Sequence, residues 1–161
     1  SSAGQKIHSM TLMEHMKYME ETWLLFGICN YAAKFAEKES AKKYYFRDNG
    51  ILNLFLTDPE TSLLENRVAI ELKKKYCDEV YFYNKAVEVD FYVPQEGMAV
   101  QASFDINEAE TREREVSALV ALNKVFPLQK ALIITRDTEL RIESEGLVIE
   151  ILPIRKWLLK T

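Results

Sequence analysis

Apolar residues near the start of the chain recur three or four positions apart, at Leu12, Met16, Met19 and Trp23. This spacing predicts an amphipathic helix that buries one face. Thr11 and Glu14 form a capping-box pattern, a hydroxyl and a carboxylate three positions apart, which places the start of the helix there.

Two short apolar runs follow at residues 23–28 and 44–46, with a charged segment, 34–43, between them. Each run is short and predicts a strand, and residues 51–56 predict a short helix. The order helix, strand, charged connection, strand is typical of the end of a winged-helix module. A helical hairpin is the alternative.

The breaker sequence D-P-E-T-S begins at Asp58 and predicts a boundary between two parts, 1–57 and 58–161. The second part predicts helix 63–75, strands 80–83, 87–93 and 99–104, helix 108–125, strands 131–135 and 147–152, and helix 154–159. Strands grouped between helices, with a helical crossover, predict an α/β fold with a mixed sheet covered on both faces.

Polar residues lie two positions apart on two of these strands. Because successive strand residues point to opposite faces, Glu88, Asp90 and Tyr92 are predicted to share one face, and Gln101 and Ser103 one face of the next strand. A strand carboxylate that faces polar residues on the next strand is typical of metal-dependent nucleases, because Mg²⁺ prefers carboxylate oxygens.

The composition, 48% hydrophobic and 29% charged residues, is that of a globular protein of 161 residues. A net charge of −4 argues against a protein that mainly coats nucleic acid. No apolar run is long enough to span a bilayer, and Cys29 and Cys77 lack the spacing of a zinc site. These features predict a cytoplasmic protein with two buried, reduced thiols and no membrane partner.

Basic residues nevertheless cluster in the charged segment and at the start of the long helix. We treat seven as candidates for nucleic-acid contact: Lys34, Lys38, Lys42, Lys43, Arg47, Arg112 and Arg114. Such residues neutralise phosphates and release counterions. The neighbouring acids Glu37, Glu39 and Asp48 weaken this interpretation.

The order helix, three strands, helix, strand resembles the restriction-endonuclease-like fold of the PD-(D/E)XK superfamily. The resemblance implies a Mg²⁺ or Mn²⁺ site built from a helix glutamate, a strand aspartate and an E-x-K motif. Glu65 in L-L-E-N-R matches the glutamate, and Asp90 in E-V-D-F matches the aspartate. Gln101 and Ser103 stand where the second acid and the lysine belong.

The resemblance therefore implies a degenerate site, in which Glu65 and Asp90 are the remaining metal ligands. An amide oxygen is a weak neutral ligand, and a serine hydroxyl carries no charge near neutral pH. Lys85, Arg112 and Arg114 are the candidates for a displaced cation.

A second resemblance covers nearly the whole chain. Seven segments carry it in order: T-L-x-x-x-M-x-Y-M-E-E-T-W-L-L-F, K-x-Y-Y-F-R-D-N-G-I-L-N, L-L-E-N-x-V-x-x-E-L, E-V-D-F, V-Q-A-S-F-D-I-x-x-x-E-T-R-E-R-E-V-x-A-L, A-L-I-I-T and I-x-I-L-P-I-R-K-W-L-L. They are similar to the C-terminal domain of uncharacterised function that follows a AAA+-type ATP-binding module in many bacterial and archaeal predicted ATPases. The resemblance implies a nuclease-like fold after a partial winged-helix segment, with an ATPase module upstream in the same polypeptide.

None of the five glycines belongs to a phosphate-binding loop, so we expect no ATP to bind this chain itself. We expect a non-catalytic domain that serves nucleic-acid binding, partner binding or regulation of an ATPase. An active metal-dependent DNA nuclease and a protein–protein interaction module are the alternatives. DNA and further copies of the chain stay open as partners.

Overall fold

The computed structural model describes residues 9–34, 42–57 and 59–160. Its strands are β1 (Leu25–Asn30), β2 (Lys42–Phe46), β3 (Tyr81–Asn84), β4 (Glu88–Val93), β5 (Met98–Ala102), β6 (Lys130–Thr135), β7 (Leu140–Ser144) and β8 (Leu147–Pro153). Its helices are α1 (Ser9–Glu21), α2 (Asn49–Asn53), α3 (Glu60–Tyr76), α4 (Ala109–Val125) and α5 (Ile154–Leu158).

All eight of these strands form one sheet, in the order β2-β1-β3-β4-β5-β6-β8-β7. β3, β4 and β5 are an antiparallel meander, and α4 is the crossover that makes β6 parallel to β5. β8 is parallel to β6 and forms an antiparallel hairpin with β7. The predicted α/β fold with a mixed sheet is therefore confirmed.

Helices cover the sheet on both faces, as predicted. Leu72 of α3 and Trp157 of α5 belong to the core on one face, and Leu119 of α4 belongs to the core on the other. Burying a large apolar side chain contributes about 1.5–3 kcal/mol, so these two layers hold the helices in place.

The sheet continues across the predicted boundary at residue 58. β1 pairs antiparallel with β2 and parallel with β3, so the hairpin expected as a wing extends the main sheet. The division into parts 1–57 and 58–161 stays a prediction. Lys38 and Asp58 lie outside the described residues.

The predicted burial of α1 is wrong. Leu12 is 52% exposed and Trp23 71% exposed, while Met16 and Met19 are half-buried. Instead, α1 makes a polar contact with the sheet: the backbone N–H of Gly27 in β1 donates to Glu20 Oε1 of α1 at 2.9 Å.

The predicted ends of α1 are also wrong. The chain is already helical at Ser9, so Thr11 and Glu14 lie inside the helix. The helix stops at Glu21, and Trp23 takes a left-handed conformation with φ 61° in the turn that leads to β1. This conformation is rare for a residue with a side chain.

β7 was not predicted from the sequence. It joins β8 through Glu145 and Gly146, which have φ values of 48° and 77°. Two left-handed residues in succession form the tight turn that suits the twist of a hairpin.

Both cysteines are free, as predicted, but the prediction that they are buried is wrong. Cys29 is half-buried, and Cys77 is exposed because it follows the last residue of α3 in the turn to β3. No helix in the described ranges is both long and apolar enough to cross a membrane.

Candidate functional site

Asp90 lies in an irregular stretch of β4. Tyr81 of β3 pairs with Tyr92, whereas Tyr83 pairs with Val89, so β4 has one more residue than β3 between these two pairs. Such a bulge changes the direction in which neighbouring side chains point, and bulges are common beside functional sites.

The bulge breaks the predicted alternation of faces. Val89 and Tyr92 both pack in the core under α4, whereas Phe91 packs in the core under α3. The prediction that Glu88, Asp90 and Tyr92 share one face is therefore wrong, because the extra residue shifts the alternation by one position.

Gln101 completes the hydrogen bonding of this bulge. Regular pairing of β4 with β5 ends at Phe91 and Val100. Beyond that pair, the backbone N–H of Asp90 donates to Gln101 Oε1 at 2.8 Å, and Gln101 Nε2 donates to the carbonyl of Glu88 at 3.2 Å. The oxygen that the sequence suggested as a weak metal ligand is thus committed to a backbone group.

Ser103 has a local role in the structure. It is 6% exposed, and its Oγ donates to the carbonyl of Asp105 at 3.2 Å. Its backbone N–H donates to the carbonyl of Ile134 at 2.9 Å, which extends the pairing with β6. Ser103 stands where the nuclease pattern has a lysine, and here its hydroxyl closes a turn.

The parted ends of β4 and β5 open into a cleft of about 610 Å³ between α3 and α4. Its polar and charged lining residues are Thr61, Glu65, Glu88, Asp90, Gln101, Arg114, Glu115 and Ser117. The structure thus brings Glu65 and Asp90 into one cleft, as expected, and adds two further carboxylates.

Glu115 was not predicted as a site residue. Its side chain is only 10% exposed, and Arg114 Nη2 donates to Glu115 Oε1 at 2.7 Å. Arg114, expected as a displaced cation or a nucleic-acid contact, is therefore paired with its neighbour at the rim of the cleft.

Lys43 of β2 is the cation at the carboxylates of this site. Its Nζ lies 2.6 Å from Glu88 Oε1, 3.6 Å from Asp90 Oδ1 and 4.0 Å from Glu65 Oε1. The ammonium also lies over the ring of Phe82 in β3, 5.4 Å from its centroid. Lys43 was predicted as a nucleic-acid contact, so this position in the cluster is a finding of the structure.

Tyr45, two residues after Lys43 on the same strand, also reaches this cluster. Its hydroxyl donates to Glu65 Oε1 at 2.8 Å. Burial, and then the negative charge of Glu65, raise the pKa of Tyr45 well above its ordinary value. The hydroxyl therefore stays protonated and holds Glu65 in place.

The charges of the cluster shift the pKa values of both Asp90 and Lys43. Burial is the main cause that raises the pKa of Asp90 to about 7, and the charge of Glu65 adds to it. The backbone N–H of Ala102, which donates to Asp90 Oδ2 at 3.0 Å, opposes this shift, as does Lys43. Burial acts to lower the pKa of Lys43, but the hydrogen bond to Glu88 and the charge of Asp90 outweigh it, so the pKa is raised.

The residues of this cleft do not fit the metal site that the superfamily implies. Among the described residues, no three acidic, histidine or cysteine side chains are grouped so that they could hold a metal ion. The amide oxygen of Gln101 is engaged, and the ammonium of Lys43 lies where the carboxylates of Glu65 and Asp90 converge.

The other predicted basic residues lie apart from one another or are engaged. Lys42 lies 3.7 Å from Glu20 and, as the neighbour of Lys43 in a strand, on the opposite face. The guanidinium of Arg47 lies 4.5 Å from the ring centroid of Trp23. Lys34 and Lys85 are exposed, and Arg112 is half-buried in the first turn of α4.

The sequence did not predict that Lys43 lies among the carboxylates, because its partners depend on the order of the strands in the sheet. One local signal was available: in K-K-Y-Y-F, Lys43 and Tyr45 are two positions apart and share a face. A buried tyrosine needs a partner for its hydroxyl, so this face was a candidate for polar contacts.

Comparison with known proteins finds a relative without an assigned activity. The chain is 27% identical over 163 residues to an uncharacterised protein of Methanocaldococcus jannaschii. The alignment covers 94% of this chain and 37% of that protein, so the chain spans little more than a third of the relative's length. No family model matches the chain, and no solved structure matches it significantly.

Proposed function

We propose that this chain is a nuclease-like domain of a larger protein, and that it binds a partner instead of hydrolysing phosphodiesters. The order α3-β3-β4-β5-α4-β6 supports a restriction-endonuclease-like fold, as do Glu65 and Asp90 in one cleft. The seven ordered sequence segments support a place beside an ATPase module, and the greater length of the archaeal relative agrees with it.

The position of Lys43 carries the non-hydrolytic part of this proposal. Its ammonium lies within 4.0 Å of Glu65, Glu88 and Asp90, and all of these side chains except that of Glu88 are largely shielded from solvent. A divalent cation would have to displace this ammonium before it met the carboxylates of Glu65 and Asp90. The side-chain oxygen of Gln101 accepts from the backbone of Asp90, so it is not available as a further ligand.

Exposed apolar side chains support the binding part. On and after α1 and α2 the exposed large apolar residues are Met10, Leu12, Met13, Tyr18, Trp23, Ile51, Leu54 and Phe55. Phe55 stacks on Phe46, with 6.0 Å between ring centroids, and the next residue, Arg47, lies over Trp23. Large exposed apolar groups of this kind mark protein contacts, and Trp and Arg are enriched at their centres.

The partner that we propose is another part of the same larger polypeptide, the predicted ATPase module. Nucleic acid is a weaker candidate for the cleft, because four carboxylates line it and Lys43 and Arg114 are the cations beside them. An excess of negative charge repels phosphate.

A cleavage assay tests the non-hydrolytic part. Labelled duplex and single-stranded DNA are incubated with the wild-type chain and about 5 mM Mg²⁺ or Mn²⁺. We expect no cleavage above that of the Asp90→Ala variant. Cleavage by the wild type that is lost in both Asp90→Ala and Lys43→Met would overturn the proposal.

That outcome would establish the second candidate function, a metal-dependent nuclease. One observation favours this candidate: Lys43 and Glu115 supply a cation and a carboxylate beside Asp90 that the E-x-K pattern lacks. In active nucleases of this class such a cation stabilises the charge that builds up on the phosphate.

Hydrogen exchange tests the binding part. Amides of residues 9–23 and 49–57 should exchange more slowly in the full-length polypeptide than in this chain alone, because partner contact shields them. Peptides from β6, buried in either case, are the control. Equal exchange in both proteins, together with salt-dependent DNA affinity of the isolated chain, would favour a nucleic-acid role.

A further inference from the structure

We infer that a cavity beside β1 binds an extended, acidic segment of the larger polypeptide, with a carboxylate of that segment on Arg47. The inference deepens the proposed function and rests on it, since it names the chemistry of the segment that meets this end of the sheet. The cavity has a volume of about 340 Å³ and shares no lining residue with the cleft at Asp90. Its charged lining residues are Glu20, Lys42, Arg47, Lys73 and Asp78.

One wall of this cavity is an edge of β1 that has no strand beside it among the described residues. β1 pairs with β2 from Leu25 to Cys29, but with β3 only at Cys29 and Asn30. Backbone groups alternate in direction along a strand, so those of Leu25 point the same way as those of Gly27, towards the cavity. An extended peptide can form main-chain hydrogen bonds at such an edge.

A carboxylate of the chain itself already occupies part of this edge. The backbone N–H of Gly27 donates to Glu20 Oε1 at 2.9 Å, and Lys42 Nζ lies 3.7 Å from Glu20 Oε2. A Cβ at residue 27 would lie 3.0 Å from Glu20 Oε1, so the glycine is what lets the carboxylate come this close to the backbone. The edge therefore accepts carboxylate ligands.

Arg47 is held at the cavity by two aromatic rings. Its guanidinium lies 4.5 Å from the ring centroid of Trp23 and 5.6 Å from that of Phe26. Its backbone N–H donates to the carbonyl of Leu24 at 3.0 Å, which fixes the main chain. A guanidinium stacked on rings still has the N–H groups around its plane to offer to a ligand.

The charge that the cavity leaves unmatched is positive. Lys42 pairs with Glu20, and Lys73 pairs with Asp78 at 2.6 Å. Arg47 forms no ion pair with any residue in the described ranges. A carboxylate can meet a guanidinium through two parallel hydrogen bonds, which are among the stronger ones in proteins.

An acidic peptide suits this cavity better than a nucleic acid does. The edge of β1 offers hydrogen bonds that match the main chain of a peptide. A phosphate backbone carries a charge at every nucleotide and would also meet the carboxylates of Glu20 and Asp78.

The experiment is a two-dimensional NMR titration with the tetrapeptide V-E-V-E, acetylated and amidated so that its side chains carry its only charges. We expect it to shift the amide signals of Leu25 and Gly27 in the wild type, whereas V-K-V-K leaves them unchanged. Arg47→Met should lower the affinity for V-E-V-E about tenfold. Arg47→Lys should lower it less, because an ammonium keeps the charge but cannot form the paired bonds.

Arg136→Met is the matched control. The guanidinium of Arg136 also lies over a ring, 4.9 Å from the centroid of Phe104, but it is paired with Asp137. Its removal changes the net charge by the same amount and should leave the affinity for V-E-V-E unchanged. Circular dichroism confirms that each variant is folded, and Arg47→Lys carries the test if Arg47→Met does not fold.

Affinity of the folded Arg47 variants equal to that of the wild type overturns the inference, and so does an equal loss in Arg136→Met. A single-stranded tetranucleotide that shifts the same amides at lower concentration than V-E-V-E also overturns it. Hydrogen exchange separates this inference from the proposed function. Slower exchange of residues 9–23 in the full-length polypeptide, without peptide binding, overturns the inference alone, whereas equal exchange in both proteins overturns both.

Discussion

Replacing Asp90 with asparagine should change how the stability of this protein depends on pH. Burial and the charge of Glu65 raise the pKa of Asp90 to about 7, whereas the pKa of an aspartate in an unfolded chain is about 3.9. The folded protein therefore keeps this proton at pH values where the unfolded chain has lost it. The stability that Asp90 contributes is present at low pH and is lost as the pH rises through about 7.

The size of the effect follows from the two pKa values. The whole difference corresponds to about 4 kcal/mol, of which roughly a third is already lost at pH 5 and nearly all at pH 8. Between pH 5 and pH 8 the wild type should therefore lose about 2–3 kcal/mol relative to Asp90→Asn. Asparagine does not titrate, and its side-chain oxygen can still accept from the Ala102 N–H, which lies 3.0 Å from Asp90 Oδ2.

Urea denaturation at pH 5, 6, 7 and 8, at constant ionic strength, measures this difference. All other titrating groups are present in both proteins, so their contributions largely cancel. Asp137→Asn makes the same chemical change at an exposed carboxylate beside Arg136 and serves as the control.

The reasoning would be refuted by a constant difference. If the wild type and Asp90→Asn stay parallel to within about 0.5 kcal/mol from pH 5 to pH 8, Asp90 is ionised throughout that range. The carboxylate would then be better solvated, or more fully neutralised by Lys43, than the structure implies.

Three further predictions concern stability and are measured by urea denaturation at one pH. Gln101→Ala should cost about 2–4 kcal/mol, because two backbone groups of β4 lose their partners. Asn66→Ala should cost a similar amount, about 2–4 kcal/mol, because this buried side chain bonds both the N–H and the carbonyl of Phe46. Glu145→Gly should stabilise the hairpin by about 0.5 kcal/mol, since relief of the left-handed strain exceeds the loss of the exposed ion pair with Lys124.

Exposed positions provide the controls. Gln95→Ala and Asn107→Ala should each change stability by less than about 0.5 kcal/mol, since neither side chain is buried. Glu143→Gly, in β7 itself, should destabilise because glycine weakens a strand. A loss for Gln101→Ala or Asn66→Ala no larger than in these controls would contradict the hydrogen-bonding roles that the structure indicates.

The fold was more predictable than the site, and α4 and β7 show why. α4 was predicted within one residue of its observed start, because a long helical pattern after a buried strand is a strong local signal. β7 was missed because its side chains are largely exposed and its turn uses Glu145 where asparagine or glycine is usual. The exposed face of α1 could not be predicted either, since the pattern of an amphipathic helix does not say whether a partner covers it.

Apart from β7, the sequence alone determined the order of the elements, and it placed Glu65 on a helix and Asp90 on a strand, because periodicity is a property of adjacent residues. Only the tertiary structure decided what surrounds them. The bulge in β4, the hydrogen bonds of Gln101 and the position of Lys43 all depend on strands that meet only in the folded chain. β2 ends at Phe46 and β4 begins at Glu88, so the two strands are far apart in the sequence. A contact of that kind is set by the order and curvature of the sheet, which the local pattern does not encode.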